Sequence, residues 1–252
     1  MNWLLLRGLV REQRHWGDFP VSFETSAPSR KVFCLDLPGF GTESHRSSPS
    51  RVGEIVDDVR SRWLSLRDKN PGDWSILAAS LGGMLAMDWC VRYPGEFKEL
   101  VVLNSSVNTF SPIYRRFRIS NWPRVIRLSI SSDPQVREKG ILEITITNQE
   151  IFEKSLNRNV MIATENPVRR TEMFRQLIAG ARFTLRKIPT IRTLVLAGDG
   201  DILCDPSCSR AIADHFKAQL RIHPTAGHDL SIDAPEWVSQ EVNSWLSSST
   251  LT

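Results

Sequence analysis

Apolar positions along this chain follow two periods. Six short runs, near residues 2 to 7, 31 to 36, 74 to 79, 99 to 104, 193 to 198 and 218 to 223, read as buried strands; Trp74-Ser75-Ile76-Leu77 and Thr193-Leu194-Val195-Leu196-Ala197 are examples. Between most of them apolar residues recur at helical spacing. Val52, Ile55, Val56, Val59 and Trp63 share one helix face, and Trp237, Val238, Val242, Trp245 and Leu246 share another near the C-terminus. Strands alternating with amphipathic helices predict an α/β fold with a mainly parallel, doubly wound sheet of about six strands, covered on both faces. Such sheets bind ligands at the carboxyl ends of their strands.

The interval 107–192 breaks this rhythm, because 86 residues pass with no strand pattern. Ser111 to Ser131, Gln135 to Thr147 and Val168 to Phe183 have helical patterns, and Asp133, Asn148 and Asn166 are candidate start signals. The expected organisation is one core domain, 1–106 with 193–252, carrying 107–192 as a helical insertion.

Composition bounds this reading. With 252 residues, 41% hydrophobic and 24% charged, the chain suffices for one large α/β domain, and no linker divides it. The run Trp3-Leu4-Leu5-Leu6 is too short for a signal peptide or a membrane span and lacks a basic leader, so a cytoplasmic protein without a transmembrane segment is expected. Cys34, Cys90, Cys204 and Cys208 form no C-x-x-C pair and are expected as small hydrophobes rather than a metal site. His15, His45, His215 and His223 lack metal-ligand spacing and read as surface or loop histidines. No phosphate loop or dinucleotide fingerprint is evident, so no cofactor is expected.

The chemistry concentrates at Ala78-Ala79-Ser80-Leu81-Gly82-Gly83, between a predicted strand and the predicted helix Met84 to Val91. A strand, sharp turn and helix with serine at the apex form a nucleophile elbow, where the crowded backbone demands small residues two positions either side. Ala78 and Gly82 meet that steric demand. The strand ending at Ala197 runs into Gly198-Asp199-Gly200-Asp201, and Gly227-His228 stands in a polar loop ahead of a helix start at Asp233-Ala234-Pro235-Glu236. A serine hydroxyl becomes nucleophilic at neutral pH when an imidazole takes its proton, and a carboxylate holds that imidazole in one tautomer. Ser80, Asp201 and His228 supply the three residue types in that order.

With these motifs the chain resembles the α/β-hydrolases over nearly its full length. The resemblance extends to Leu6-Arg7-Gly8-Leu9, where the family has His-Gly, to Asp36-Leu37-Pro38-Gly39-Phe40-Gly41-Thr42-Glu43-Ser44, and to Tyr93-Pro94. It implies that Ser80 attacks, His228 shuttles the proton, Asp201 orients His228, and the backbone N–H groups of Leu9 and Leu81 form the oxyanion hole. It also implies that 107–192 is the family's lid. Arg7 stands in place of the usual histidine, and the two antiparallel edge strands common in the family are not expected. Trp16 lies where the family often lines its acyl pocket; a pocket wall and plain core are both open.

Charge divides unevenly. The interval 107–192 holds 16 Lys and Arg against 7 Asp and Glu, a net +9, and the remainder is −5, within a formal +4 for the chain. Arg115, Arg116, Arg118, Arg124 and Arg127 belong to it, and three uses are open: a solvated face, steering of an anionic substrate or acidic acyl carrier protein, or contact with an anionic membrane surface. Nucleic acid is not expected, since no binding motif accompanies the charge. The resulting expectation is a serine hydrolase of a small-molecule carboxylic ester or thioester. Within the family, the Asp-Leu-Pro-Gly-Phe-Gly loop and the basic interval most resemble the pimeloyl-carrier-protein methyl ester carboxylesterases. A triad-dependent lyase of the menaquinone-synthesis type and a hydrolase-fold small-ligand receptor are the alternatives.

Overall fold

The structure, a computed structural model, describes residues 1–248. Strands β1 (Asn2–Leu6), β2 (Lys31–Cys34), β3 (Trp74–Ala79), β4 (Glu99–Leu103), β5 (Arg192–Gly198) and β6 (Gln219–His223) form one sheet in the order β2-β1-β3-β4-β5-β6. Every pairing is parallel. The first crossover carries the chain outward from β1 to β2, and all later ones run the opposite way, so the order reverses beside β1.

Alternate residues of each strand enter opposite layers, as the pleat requires. Leu4, Leu6, Ile76, Ala78, Leu100 and Val102 pack beneath α2 (Val52–Lys69) and α3 (Leu81–Arg92). Trp3, Leu5, Leu77, Val101 and Leu103 pack on the other face, beneath α1 (Phe19–Thr25) and the C-terminal α11 (Pro235–Ser247). Trp63, fully buried on α2, meets Trp74 and Trp89 edge to face at 5.7 and 5.5 Å. Emptying such a site by substitution with alanine costs about 3–5 kcal/mol.

Register aligns the carboxyl ends. Leu6 pairs with Ala78, Ala79 with Leu103, Leu103 with Leu196, and Gly198 with His223. The loops after β1, β3, β4, β5 and β6 therefore open along one edge, where the sequence places its candidate chemistry.

Between β4 and β5 lie five α-helices, α4 (Ile113–Arg116), α5 (Trp122–Ile130), α6 (Pro134–Thr145), α7 (Gln149–Glu165) and α8 (Arg170–Arg182), with a 3-10 turn at Ile119–Asn121. Asp133 caps α6 by accepting from the N–H groups of Gln135 and Val136, and Asn148 caps α7 by accepting from that of Glu150. Asn166 does not start a helix; it ends α7, and α8 begins four residues later without a side-chain cap. After β5 come α9 (Ser207–Phe216) and the short α10 (Leu230–Asp233). Asp233 likewise does not cap α11, because its carboxylate is engaged elsewhere.

Candidate active site

Ser80 sits between β3 and α3 with φ 54° and ψ −117°, a left-handed conformation that costs a non-glycine residue on the order of 1–3 kcal/mol. The surroundings impose it. The Ser80 N–H donates to the Leu103 carbonyl at 2.9 Å, and Ser105 Oγ donates to the Ser80 carbonyl at 2.7 Å. A Cβ on Gly82 would collide with the carbonyl oxygens of Leu6 and Arg7, and one on Gly8 would stand 3.0 Å from Ser80 Cβ. The β1 loop thus lies directly against the elbow, a closeness that glycine alone permits.

His228 Nε2 lies 3.0 Å from Ser80 Oγ, and His228 Nδ1 lies 2.7 Å from Asp201 Oδ2. Asp201 is 2% exposed, and its other oxygen accepts from the N–H groups of Leu203 and Cys204 at 2.8 and 2.9 Å. The neighbouring acids are turned elsewhere: Asp199 pairs with Arg210, while Asp205 accepts from Ser207 and pairs with Arg118. Burial pulls the His228 pKa down, but the charge and hydrogen bond of Asp201 outweigh it and leave the imidazole above its ordinary 6.5. An arrangement with Ser80 Oγ against one ring nitrogen and a carboxylate on the other can move a proton from serine to imidazole.

Two residues without a motif of their own hold the histidine loop. Asn104, at φ 40°, donates from Nδ2 to the carbonyls of Gly227 and His228 at 2.9 and 2.8 Å and accepts from the Gly198 N–H at 3.0 Å. Asp233 accepts from the N–H groups of Gly227, Thr147 and Asn148, joining that loop to the connection between α6 and α7. The sequence signals neither role, since each depends on loops far apart in the chain.

Leu81 is the first residue of α3, so its N–H has no intrahelical acceptor. Leu9 follows Gly8 in the turn against Ser80. Next to it, the Val10 N–H donates to Gln176 Oε1 of α8 at 3.1 Å. Gln176 is fully buried, and its Nε2 has no partner among the described residues. Behind the turn, Arg7 is bound through both terminal nitrogens to Asp229. Burial raises the Asp229 pKa, but Arg7 outweighs it and leaves the carboxyl below its ordinary 3.8.

Other predicted residues lie apart from Ser80. Trp16 is fully buried, stacked on Phe19 with centroids 5.6 Å apart and capped by the Arg7 guanidinium, so it is core rather than pocket wall. Arg116 is not a surface docking residue. It is 7% exposed and donates to the carbonyls of Gly180 and Ala181, and burial lowers its pKa. Arg118 pairs with Asp205 at 3.0 Å and Arg124 with Glu143 at 3.7 Å; Arg115 and Arg127 are exposed. His15 is buried rather than superficial, and burial with the nearby Arg11 and Arg7 holds its pKa well below 6.5. A small hollow of about 20 Å³, room for about one water molecule, lies among Val10, Glu12, His15, the Gly39–Gly41 turn and the 162–168 segment. Ser80 and His228 lie outside its lining, one residue beyond Leu9. Among the described residues no group of three or more His, Cys, Asp or Glu is placed to hold a metal ion.

A parallel sheet of this order, with helices on both faces and a serine elbow after its third strand, defines an α/β-hydrolase fold. The profile of the serine aminopeptidase S33 family matches residues 24–235, and the chain belongs to that family. It is similar to an uncharacterized carboxylesterase of Bacillus subtilis (strain 168), 23% identical over 252 residues covering 98% of this chain and 79% of the relative. It is also similar to the monoglyceride lipase of Homo sapiens, 27% identical over 238 residues covering 88% and 74%. A crystal structure of a hydrolase from Pseudomonas aeruginosa PA01 shares the fold at TM-score 0.75, with 20% identity over 97% of this chain and 89% of that one. The family and these relatives support hydrolase activity.

Proposed function

We propose that this protein cleaves a carboxylic ester or thioester through an acyl-enzyme on Ser80. The observation that carries the reading is His228 standing 3.0 Å from Ser80 Oγ while its other ring nitrogen meets the buried Asp201 at 2.7 Å. Ser80 Oγ attacks the acyl carbon as His228 Nε2 takes its proton. The N–H groups of Leu9 and Leu81 receive the oxygen that becomes negative, and donors placed for that charge contribute on the order of 10²–10³ in rate. The tetrahedral intermediate collapses as His228 returns the proton to the leaving alcohol or thiol. Water, deprotonated by the same imidazole, then releases the acid.

A complete, hydrogen-bonded triad favours turnover over a ligand receptor. The narrower reading, an ester on an acidic carrier protein, loses support from the arginines, since Arg116 is buried and Arg118 and Arg124 already face acids. The test is a graded panel of p-nitrophenyl esters, acyl thioesters, carrier-linked methyl esters and aminoacyl amides, with fluorophosphonate labelling alongside. Ester or thioester hydrolysis, and labelling that disappears in Ser80→Ala, are expected. Turnover of none of these, with Ser80 unlabelled, would sink the proposal.

A further inference from the structure

A surface helix ordinarily turns its apolar stripe inward and its charges outward. Helix α5 departs from that rule. Trp122, Ile126 and Ile130 recur at four-residue spacing and are 43%, 61% and 63% exposed, whereas the inward contact is Leu128, against which Gly140 of α6 packs. Helix α8 repeats the pattern with Phe174 and Ile178, 51% and 40% exposed. The end of α5 meets the start of α8, where Arg170 donates to the Ile130 carbonyl at 2.6 Å. Exposed apolar residues grouped on a helix face and rimmed by polar ones mark interaction surfaces.

The exposed charge carried by these two helices is positive, since Glu172 in the first turn of α8 is buried, while Glu143 of the neighbouring α6 pairs with Arg124. Residues 107–130 hold five arginines and no Asp or Glu, and residues 173–192 hold four arginines and one lysine, again without an acid. Arg127 follows Ile126 directly, and Arg182 lies one turn beyond Ile178. Both are exposed, and neither has an ion-pair partner among the described residues. Long aliphatic side chains, a tryptophan and snorkelling cations on convex helices match the boundary between acyl chains and negative headgroups.

We infer that the outer face of α5 and α8 is a docking surface for an anionic phospholipid bilayer, on which the protein lies without spanning it. No helix among the described residues is long and apolar enough to cross a membrane. The face is fastened to the loop that carries Asp201: Asn121 Nδ2, just before α5, donates to the Ile202 carbonyl at 2.5 Å, and the Arg118 N–H donates to the Leu203 carbonyl at 3.0 Å. A bilayer held there therefore borders the carboxyl edge of the sheet. This inference stands independently of the ester reading, since its readout is lipid binding.

Flotation of the purified protein with vesicles of phosphatidylcholine, with and without phosphatidylglycerol, tests it. The protein should float with the mixed vesicles, about tenfold less with phosphatidylcholine alone, and less as salt screens the headgroups. The variant Ile126→Glu with Ile130→Glu changes only exposed side chains. It should lose at least about tenfold in vesicle binding while keeping its melting temperature and its activity on a soluble p-nitrophenyl ester. Arg127→Glu with Arg182→Glu should abolish the preference for phosphatidylglycerol. Equal flotation of wild type and the double glutamate variant would overturn the inference, as would absence of flotation. Concentration-dependent dimerisation lost in Ile126→Glu with Ile130→Glu, without flotation, would assign the face to a second copy of the chain instead.

Discussion

Arg7 and Asp229 form a bidentate ion pair, Nη1 to Oδ1 at 2.9 Å and Nη2 to Oδ2 at 2.6 Å, tying the turn that holds Leu9 to the loop that holds His228. Both side chains are nearly buried, at 5% and 12% exposure, and Ser231 Oγ accepts a further bond from Arg7 at 3.3 Å. The turn that carries Leu9 and the loop that carries the His228 imidazole are thus held by one planar fork, a geometry a lysine cannot reproduce.

Breaking that pair from either side should be costly. Removing one partner of a buried pair leaves an uncompensated charge, worth about 3–5 kcal/mol. Arg7→Met and Asp229→Asn are each expected to lower stability and to cut kcat more than they change KM. The double variant should be more stable than the sum of the two losses predicts, by a double-mutant cycle in urea. Strict additivity would mean the pair contributes no coupling. Because the Asp229 pKa is depressed in the fold, the stability it contributes is present above the ordinary 3.8 and disappears as pH falls through the folded value. Acid unfolding should therefore be steeper in the wild type than in Asp229→Asn.

The triad assignment makes a ranked prediction. Ser80→Ala and His228→Ala are each expected to reduce turnover by on the order of 10³-fold or more with the fold retained. Asp201→Asn should cost far more than Asp199→Asn or Asp205→Asn, since Asp201 alone of the three meets the imidazole. Circular dichroism and kcat on one ester check all five. Similar losses at Asp205 would point to a different acid.

The pH profile follows from the raised pKa of His228. The base must be neutral to accept the serine proton, so kcat/KM should be low in acid and rise through an inflection above 6.5. In Asp201→Asn the carboxylate that raises the pKa is gone and burial is left unopposed, so the residual activity should titrate at lower pH. The pairing itself stabilises the fold below the unfolded value of about 6.5 and is lost as pH rises through the folded pKa. An inflection that stays in place in Asp201→Asn would contradict this account.

Gln176 of α8 is expected to help hold the turn that carries Leu9. Gln176→Met leaves the half-buried Val10 N–H without its acceptor, a loss of about 1 kcal/mol, and should lower kcat about tenfold. Gln176→Glu keeps an oxygen for that N–H and should recover part of the rate. If both variants match the wild type, the bond between α8 and the turn has no part in positioning Leu9.

Most of the sheet was legible because strand and helix periods are local: all six strands fall within a few residues of the apolar runs, and the small residues around Ser80 mark a turn that sterics dictate. The residues that hold the histidine were not legible. Asn104 is an ordinary polar residue whose partners lie 94 to 124 positions away, Asp233 joins the nearby Gly227 to Thr147 and Asn148, 86 and 85 positions away, and Arg7 gained a meaning only when the fold set Asp229 against it. Charge counting misled at Arg116 for the same reason. A count along the chain has no depth, and that guanidinium is spent on the carbonyls at the end of α8.

The Asp229 N–H donates to the Thr145 carbonyl at 2.8 Å, and Asp233 binds the Thr147 N–H on the same stretch. The link between α6 and α7 is therefore a wall plate to which the histidine loop is nailed, rather than a flap resting above it. In the diversification of such a scaffold, exchanging 107–192 for the corresponding segment of a relative would replace helices α4 to α8 and the fastening of His228 in one stroke. New specificity at this site has to arrive together with new anchorage for the base, and small changes on α5 or α8, which leave Thr145 and Thr147 in place, are the less disruptive route.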